Sequence, residues 1–271
     1  MTKQATFSNP FADVDISEVT IPGVESHNKV AVRVKDDAGD YHVAGILSKD
    51  YNLIKNSYAH ETALDIFSRS PYKFTELFPD GHTDPHGKGS MYFDGKRYLH
   101  YFKSIDPIVE KNDLRLHLGA LLKNSYDGGG KWAFEIYALN PFCTNQYHQR
   151  NALGFFEVRH TTNGTTHIDM EDTIRNLERG AQNIIAIAPR IIAMQDEPLQ
   201  VEHITQAAKN KVVPASSWGS ILSGIEGASV FALYQALTAY ASHECNGLSS
   251  LNYGQLIGNH FLPITKQESQ E

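Results

Sequence analysis

A chain of 271 residues with 41% hydrophobic content is long enough to bury a full core, which excludes a disordered tail. Its net charge of −7 excludes a protein held to DNA by a globally basic surface, and its two cysteines, Cys143 and Cys245, lack the spacing of a thiolate metal site or a disulfide framework. No run nears the roughly 18 apolar residues of a membrane span and Met1 to Phe7 holds no apolar signal core, so a cytoplasmic protein without a membrane partner is expected.

Residues 1–27 mix polar side chains with Pro10 and Pro22 and keep no sustained period, which predicts a flexible arm. A single domain is expected over 28–262, sheet-rich to 165 and helical from 166, with a polar tail at 263–271. Val30, Val32 and Val34 alternate with Ala31, Arg33 and Lys35. The turn Asp36 to Asp40 then leads into Tyr41 to Leu47, a hairpin pattern. Ala59, Ala63, Leu64 and Phe67 recur at helical spacing after Asn56 and Ser57, the candidate caps. Pro71 to Ser90, rich in Gly, Pro, His and Asp, reads as an exposed loop.

Met91 to Phe93 and Arg97 to Phe102 flank Asp94-Gly95, a pair suited to a tight primed turn. Leu114, Leu116 and Leu118 begin a strand that runs towards Asn124. Beyond Tyr126-Asp127-Gly128-Gly129-Gly130, the residues Trp132, Phe134, Ile136 and Ala138 alternate with Ala133, Glu135, Tyr137 and Leu139 to give its partner. Phe155 to His160 makes a further strand before a turn at Asn163-Gly164. One long helix follows from Asp169 or Met170, with Pro189 as a kink or break; a short one holds His203 to Ala208, and an alanine-rich one runs from Trp218 to Ser242. Strands first and helices later predict an α+β fold: an N-terminal antiparallel sheet of hairpins followed by long helices.

Seven short stretches fall in an order that resembles the phage- and plasmid-encoded family known as phage/plasmid-like proteins, whose function is unknown. They are Tyr51 to Ile54, Leu121 to Gly128, Asn140 to Asn145, Val158 to Thr161, Ser217 to Gly219, Ala236 to Tyr240, and Ser242-His243. The likeness spans roughly Tyr41 to His243 and departs from the pattern where Gln146-Tyr147-His148 follows Asn145. It implies a mobile-element setting, a bacteriophage acting in the cytoplasm of its host, beside replication or recombination. It supplies no catalytic residues.

The residues themselves give no catalytic set. Gly81 and Gly87-Lys88 are misspaced for a phosphate loop and Gly130-Lys131 is followed by Trp132, so the three glycines at 128–130 read as a turn. His82-Thr83-Asp84-Pro85-His86 offers two imidazoles and a carboxylate, but Pro85 breaks the helix that would set both on one face, so no metal and no cofactor are expected. His117, His160 and His243 lie in regular elements, where hydrogen-bonded structural roles are expected. Cys143 reads as a small buried side chain, and Glu171-Asp172 as complements to a helix dipole.

One pattern carries a function. In Lys96 to Lys103, strand parity sets Arg97, Leu99, Tyr101 and Lys103 on one face and Lys96, Tyr98, His100 and Phe102 on the other. Cations that track a backbone and rings that stack bases are the chemistry of single-stranded nucleic-acid binding. The candidate contacts are Lys96, Arg97, Tyr98, His100, Tyr101, Lys103, Lys123, Tyr126, Lys131, Tyr137 and Arg159. A sheet with its rings in the core and its cations in water produces the same pattern. The expected function is a single-stranded DNA-binding protein, with strand annealing as one form of that role, working as a homo-oligomer with host or phage replication proteins. The alternatives are a metal-dependent enzyme acting on nucleic acid or nucleotide through the His82-Asp84-His86 loop, and a phage protein that inhibits a host factor.

Overall fold

The structure, a computed structural model, describes residues 5–20, 22, 28–79, 82–83, 89–111, 114–140, 145–148, 155–160, 170–245 and 247–263. Three strands, β1 (Val14–Glu18), β2 (Lys29–Lys35) and β3 (Tyr41–Ser48), form a small antiparallel sheet in that order. After α1 (Asn56–Arg69) come β4 (Phe74–Glu76), β5 (Met91–Phe93), β6 (Arg97–Ser104), β7 (Val109–Lys111), β8 (Leu114–Ser125), β9 (Trp132–Asn140), β10 (Asn145–His148) and β11 (Phe155–Val158). The spine of this larger sheet runs β10-β9-β8-β6-β4. Strand β11 shares an edge of β9 with β10, β5 pairs with β6, and β7 pairs with β8. Every pairing is antiparallel.

The chain then turns helical: α2 (Met170–Asp196), α3 (Val201–Lys209), α4 (Trp218–Ser223), α5 (Val230–Ala239) and α6 (Gly247–Phe261). The α+β class therefore stands, with antiparallel strands early in the chain and long helices later. No helix among the described residues is long and apolar enough to cross a membrane.

Both faces of the larger sheet are covered. Tyr98, Phe102, Leu116, Leu118, Leu122, Trp132, Phe134 and Ile136 join one core with Ala63 and Ile66 of α1, Leu177 and Ile184 of α2, Leu237 of α5 and Ile257 of α6. The opposite parity, Leu99, Leu121, Tyr137 and Leu139, packs with Leu77 and with Leu251 of α6. A third cluster joins the small sheet to the larger one, with Val14, Val32, Val34 and Ala44 around Tyr126.

Several elements differ from the sequence reading: β4 lies inside Pro71 to Ser90, expected as an exposed loop, where it pairs with β6 just ahead of the buried Leu77, and α6 follows the last expected helix. Order begins before Lys29: β1 lies inside the expected arm, because Val14 and Ile16 set opposite Val34 and Val32 while Asp15 pairs with Arg33 at 2.7 Å. The arm is also tied further along, where Asp37 Oδ1 accepts from Ser8 N–H at 2.9 Å and Pro10 O from Asn56 Nδ2 at 2.8 Å. Asn56 is the first residue of α1 rather than its cap, and its N–H donates to the Tyr126 hydroxyl at 2.8 Å, which serves an orphan donor of the first turn.

At Asp94-Gly95 only Gly95 has positive φ (+84°), and Asp94 N–H donates to Arg97 O at 3.4 Å, so the central pair of the turn is Gly95-Lys96 and not Asp94-Gly95. Instead Phe93 sets opposite Tyr98, and Asp94 Oδ1 accepts from the N–H of Lys96 and Arg97 at 2.9 and 2.7 Å. Helix α2 passes through Pro189 without ending. The single helix expected over Trp218 to Ser242 is divided: Gly224 closes α4, Gly227 takes φ +124°, and the Ser229 side chain accepts from Ala232 N–H at 3.3 Å to start α5. A π-helical turn, Tyr240–Glu244, follows α5. The turn expected at Asn163-Gly164, and Cys143, lie outside the described residues.

Candidate nucleic-acid interface

The β8–β9 hairpin determines which side chains meet. Cross-strand pairing aligns Leu99 with Lys123, Lys123 with Ala133 and Ala133 with Glu157, one row running across β6, β8, β9 and β11. Arg97 stands opposite Ser125 in the adjacent row. Residues two apart along a strand share a face, so Arg97, Lys123 and Lys131 emerge on the side that α6 partly covers. There they line a cleft of about 450 Å³, closed on one flank by Leu251, Asn252 and Gln255 of α6 and on another by Gly129 and Gly130 of the turn.

Each cation in the cleft holds a carboxylate. Arg97 Nε lies 3.3 Å from Asp127 Oδ2, Lys123 Nζ lies 2.6 Å from Glu135 Oε2, and Lys131 pairs with Glu157. Gln255 Nε2 donates to the other oxygen of Glu135 at 2.7 Å. In every pair the cation is the more exposed member, at 41% against 18%, 16% against 0% and 36% against 27% of side-chain surface. A group arriving from solvent therefore meets positive charge first, although the pairs sum to zero. Lys96, exposed in the turn before β6, and Arg159, exposed just past β11, stand at the margins.

The glycine turn is structural, as its spacing implied. Asp127 Oδ1 accepts from Gly129 N–H at 2.7 Å and Ser125 Oγ from Gly130 N–H at 2.9 Å, so these donors are used within the turn. Gly128 has φ +73°, and a Cβ there would fall 2.6 Å from the Leu47 side chain of the small sheet.

The aromatic members of the expected strip lie elsewhere. Tyr98 and His100 are fully buried, the Tyr98 hydroxyl bonding His100 Nδ1 at 2.9 Å while His100 Nε2 lies 3.2 Å from Glu76. Burial, with His60 stacked 5.1 Å away, pushes the His100 imidazole down to about 3. Tyr126 is enclosed beside α1, as described. Tyr137 covers Gly119 directly across the ladder and donates to Phe102 O at 2.9 Å. Tyr101 meets Tyr137 edge-on at 6.2 Å and is partly buried on the same cluster. Because both sheet faces are covered, Tyr98, His100, Tyr126 and Tyr137 cannot present a face to a base, and they leave the contact set. Lys103, opposite Gly119, is six residues along β6 from Arg97 and does not line the cleft.

Of the other histidines, His117 Nδ1 bonds Ser104 O at 2.8 Å. His160 departs from expectation: it stacks on Tyr51 at 5.0 Å, its ring nitrogens are buried without a hydrogen-bond partner, and burial pushes it down to about 4. Asp84 and His86 lie outside the described residues, and among those described no three His, Cys, Asp or Glu side chains gather as metal ligands.

Two features escaped the sequence reading. Asn252 and Gln255 are polar positions in a helix that buries Leu251, Ile257 and Phe261, and that break in an apolar helix was the available signal. An exposed ring beside cations does occur, on the small sheet: Tyr41, 43% exposed, has Arg33 and Lys35 at 5.0 and 5.8 Å. A second groove of about 430 Å³ along α5, lined by Glu226, Phe231, Gln235 and His243 among others, contains no lysine or arginine. Comparison with protein-family models, with curated proteins and with solved structures finds no match to this chain, so the reading of the site rests on its own residues.

Proposed function

We propose that the chain binds single-stranded DNA, with the phosphodiester backbone passing along the mouth of the cleft between the β8–β9 turn and α6. The observation that carries this is the convergence of Arg97, Lys123 and Lys131 on one cleft, each more exposed than the carboxylate it holds. A phosphate approaching Lys131 or Arg97 competes with Glu157 or Asp127 for a cation that already faces outward, while the fully enclosed Glu135 keeps Lys123 in place. Lys96 and Arg159 extend the path on either side. The net charge of −7 opposes binding in general, which makes the affinity modest and salt-sensitive. The mobile-element setting implied by the short motifs agrees with this role, and assembly of several copies would align clefts along one strand.

The test is a fluorescence-anisotropy titration of labelled single-stranded DNA, duplex DNA and RNA across salt concentrations. Four outward cations, Arg97, Lys131, Lys96 and Arg159, predict a log–log salt slope of about −2 to −3 for the single strand. Absence of single-strand binding at low salt overturns the proposal.

A further inference from the structure

We infer that the cleft receives one unstacked base of the bound strand, so that the protein holds a nucleotide and not only a run of phosphates. This rests on the proposed single-strand binding and specifies what the same site takes in. Three observations carry it. The first is size: about 450 Å³ is far more than a phosphate contact needs and lies within the roughly 300–1,000 Å³ of small-molecule sites.

The second is the order of chemistry from mouth to wall. Lys131 and Arg97 are the more exposed lining cations, whereas Leu99, Ala133 and Leu251 contribute buried apolar surface. A nucleotide has the same order, with a charged phosphate at one end and a flat heterocycle at the other.

The third is the amide pair on α6. Gln255 Nε2 donates to the Glu135 carboxylate, a contact its carbonyl oxygen could not make without repulsion, and this orients the amide. With Asn252 three residues earlier on the same helix, it supplies hydrogen-bonding groups suited to a base edge. A base paired within a duplex presents neither its face nor its Watson–Crick edge to such a cleft, so occupancy requires a single strand or an extruded nucleotide.

The experiment compares a fluorescein-labelled oligodeoxycytidine with a polymer of equal length built from abasic sites, which keeps the phosphates and removes the bases. Each is titrated against the full chain at low salt. Wild-type protein is expected to bind the base-bearing strand about tenfold more tightly, the scale of one added hydrogen bond to a base edge. Asn252→Trp, at an exposed helical position, fills the cleft and is expected to abolish that advantage, so that the two polymers bind the variant with equal affinity. Equal wild-type affinity for the two polymers, or an advantage that survives Asn252→Trp, overturns the inference and leaves single-strand binding standing. Failure of both polymers to bind overturns both.

Discussion

Lys123→Met tests the electrostatics of the cleft wall. It removes the ammonium 2.6 Å from a carboxylate with no exposed surface, while the Gln255 amide continues to donate to the other oxygen. Breaking a buried ion pair from one side costs about 3–5 kcal/mol, because the remaining charge has lost its compensation. Lys123 keeps some exposure, so water partly replaces it and the expected loss is about 3 kcal/mol. Replacing both members, as Lys123→Met with Glu135→Leu, removes the uncompensated charge and leaves chiefly the Gln255 donor unserved, worth about 1 kcal/mol. The double variant is thus expected to be more stable than Lys123→Met alone, with a coupling near 2 kcal/mol or above. Urea unfolding followed by tryptophan fluorescence, to which Trp132 of the main core and Trp218 contribute, reads this as a shift in midpoint at constant slope. A loss below about 0.5 kcal/mol for Lys123→Met, or no gain on adding Glu135→Leu, would refute the reasoning.

Three further outcomes are expected. Tyr98→Ala should cost about 3–5 kcal/mol by the same unfolding assay. Tyr98→Phe, which loses only the hydroxyl bond to His100, should cost about 1 kcal/mol and leave DNA affinity unchanged; a fall in affinity would return the ring to the interface. Gly119→Ala should destabilise by about 1–3 kcal/mol, since the new methyl falls 2.3 Å from a Tyr137 ring pinned by its bond to Phe102 O, and combination with Tyr137→Leu should recover part of the loss. His100 and His160 are pushed down to about 3 and about 4 when folded, below the unfolded value near 6.5, so acid favours the unfolded chain. Their contribution is complete above about pH 6.5 and is lost as pH falls towards 3. An imidazole proton of His100 that stays unshifted by NMR to pH 4.5 confirms the cause, and titration near 6.5 contradicts it.

Strand parity was legible: Tyr98 and Phe102 do lie on one face of β6, and Leu99 and Tyr101 on the other. Alternation does not reveal whether a face meets water. A helix lies against each side here, and α6, which closes the second, comes more than a hundred residues after the strands it covers. The rings of the strip therefore turned inward and only the long cationic side chains reached the surface, because a flexible stem can cross an apolar margin and a phenol cannot. The convergence of Arg97, Lys123 and Lys131 depended on the pairing of β6, β8 and β9, whose hairpin order was readable, and on the α6 amides, which were not. Strand β1 was hidden by its brevity and its flanking prolines: five residues that alternate only twice carry little periodic signal until Val34 and Val32 stand opposite.

On the proposed function, the positive margin of this cleft, and not positive charge in general, holds the strand. The most direct measurement sets Lys96→Glu with Lys131→Glu against Arg179→Glu with Lys209→Glu, an equal change in charge on exposed positions of the helical part. Both doubles are titrated with the same labelled single strand at one low salt concentration. At least a tenfold loss of affinity is expected for the cleft pair and a loss under about threefold for the helical pair, whereas equal losses would contradict binding at the cleft.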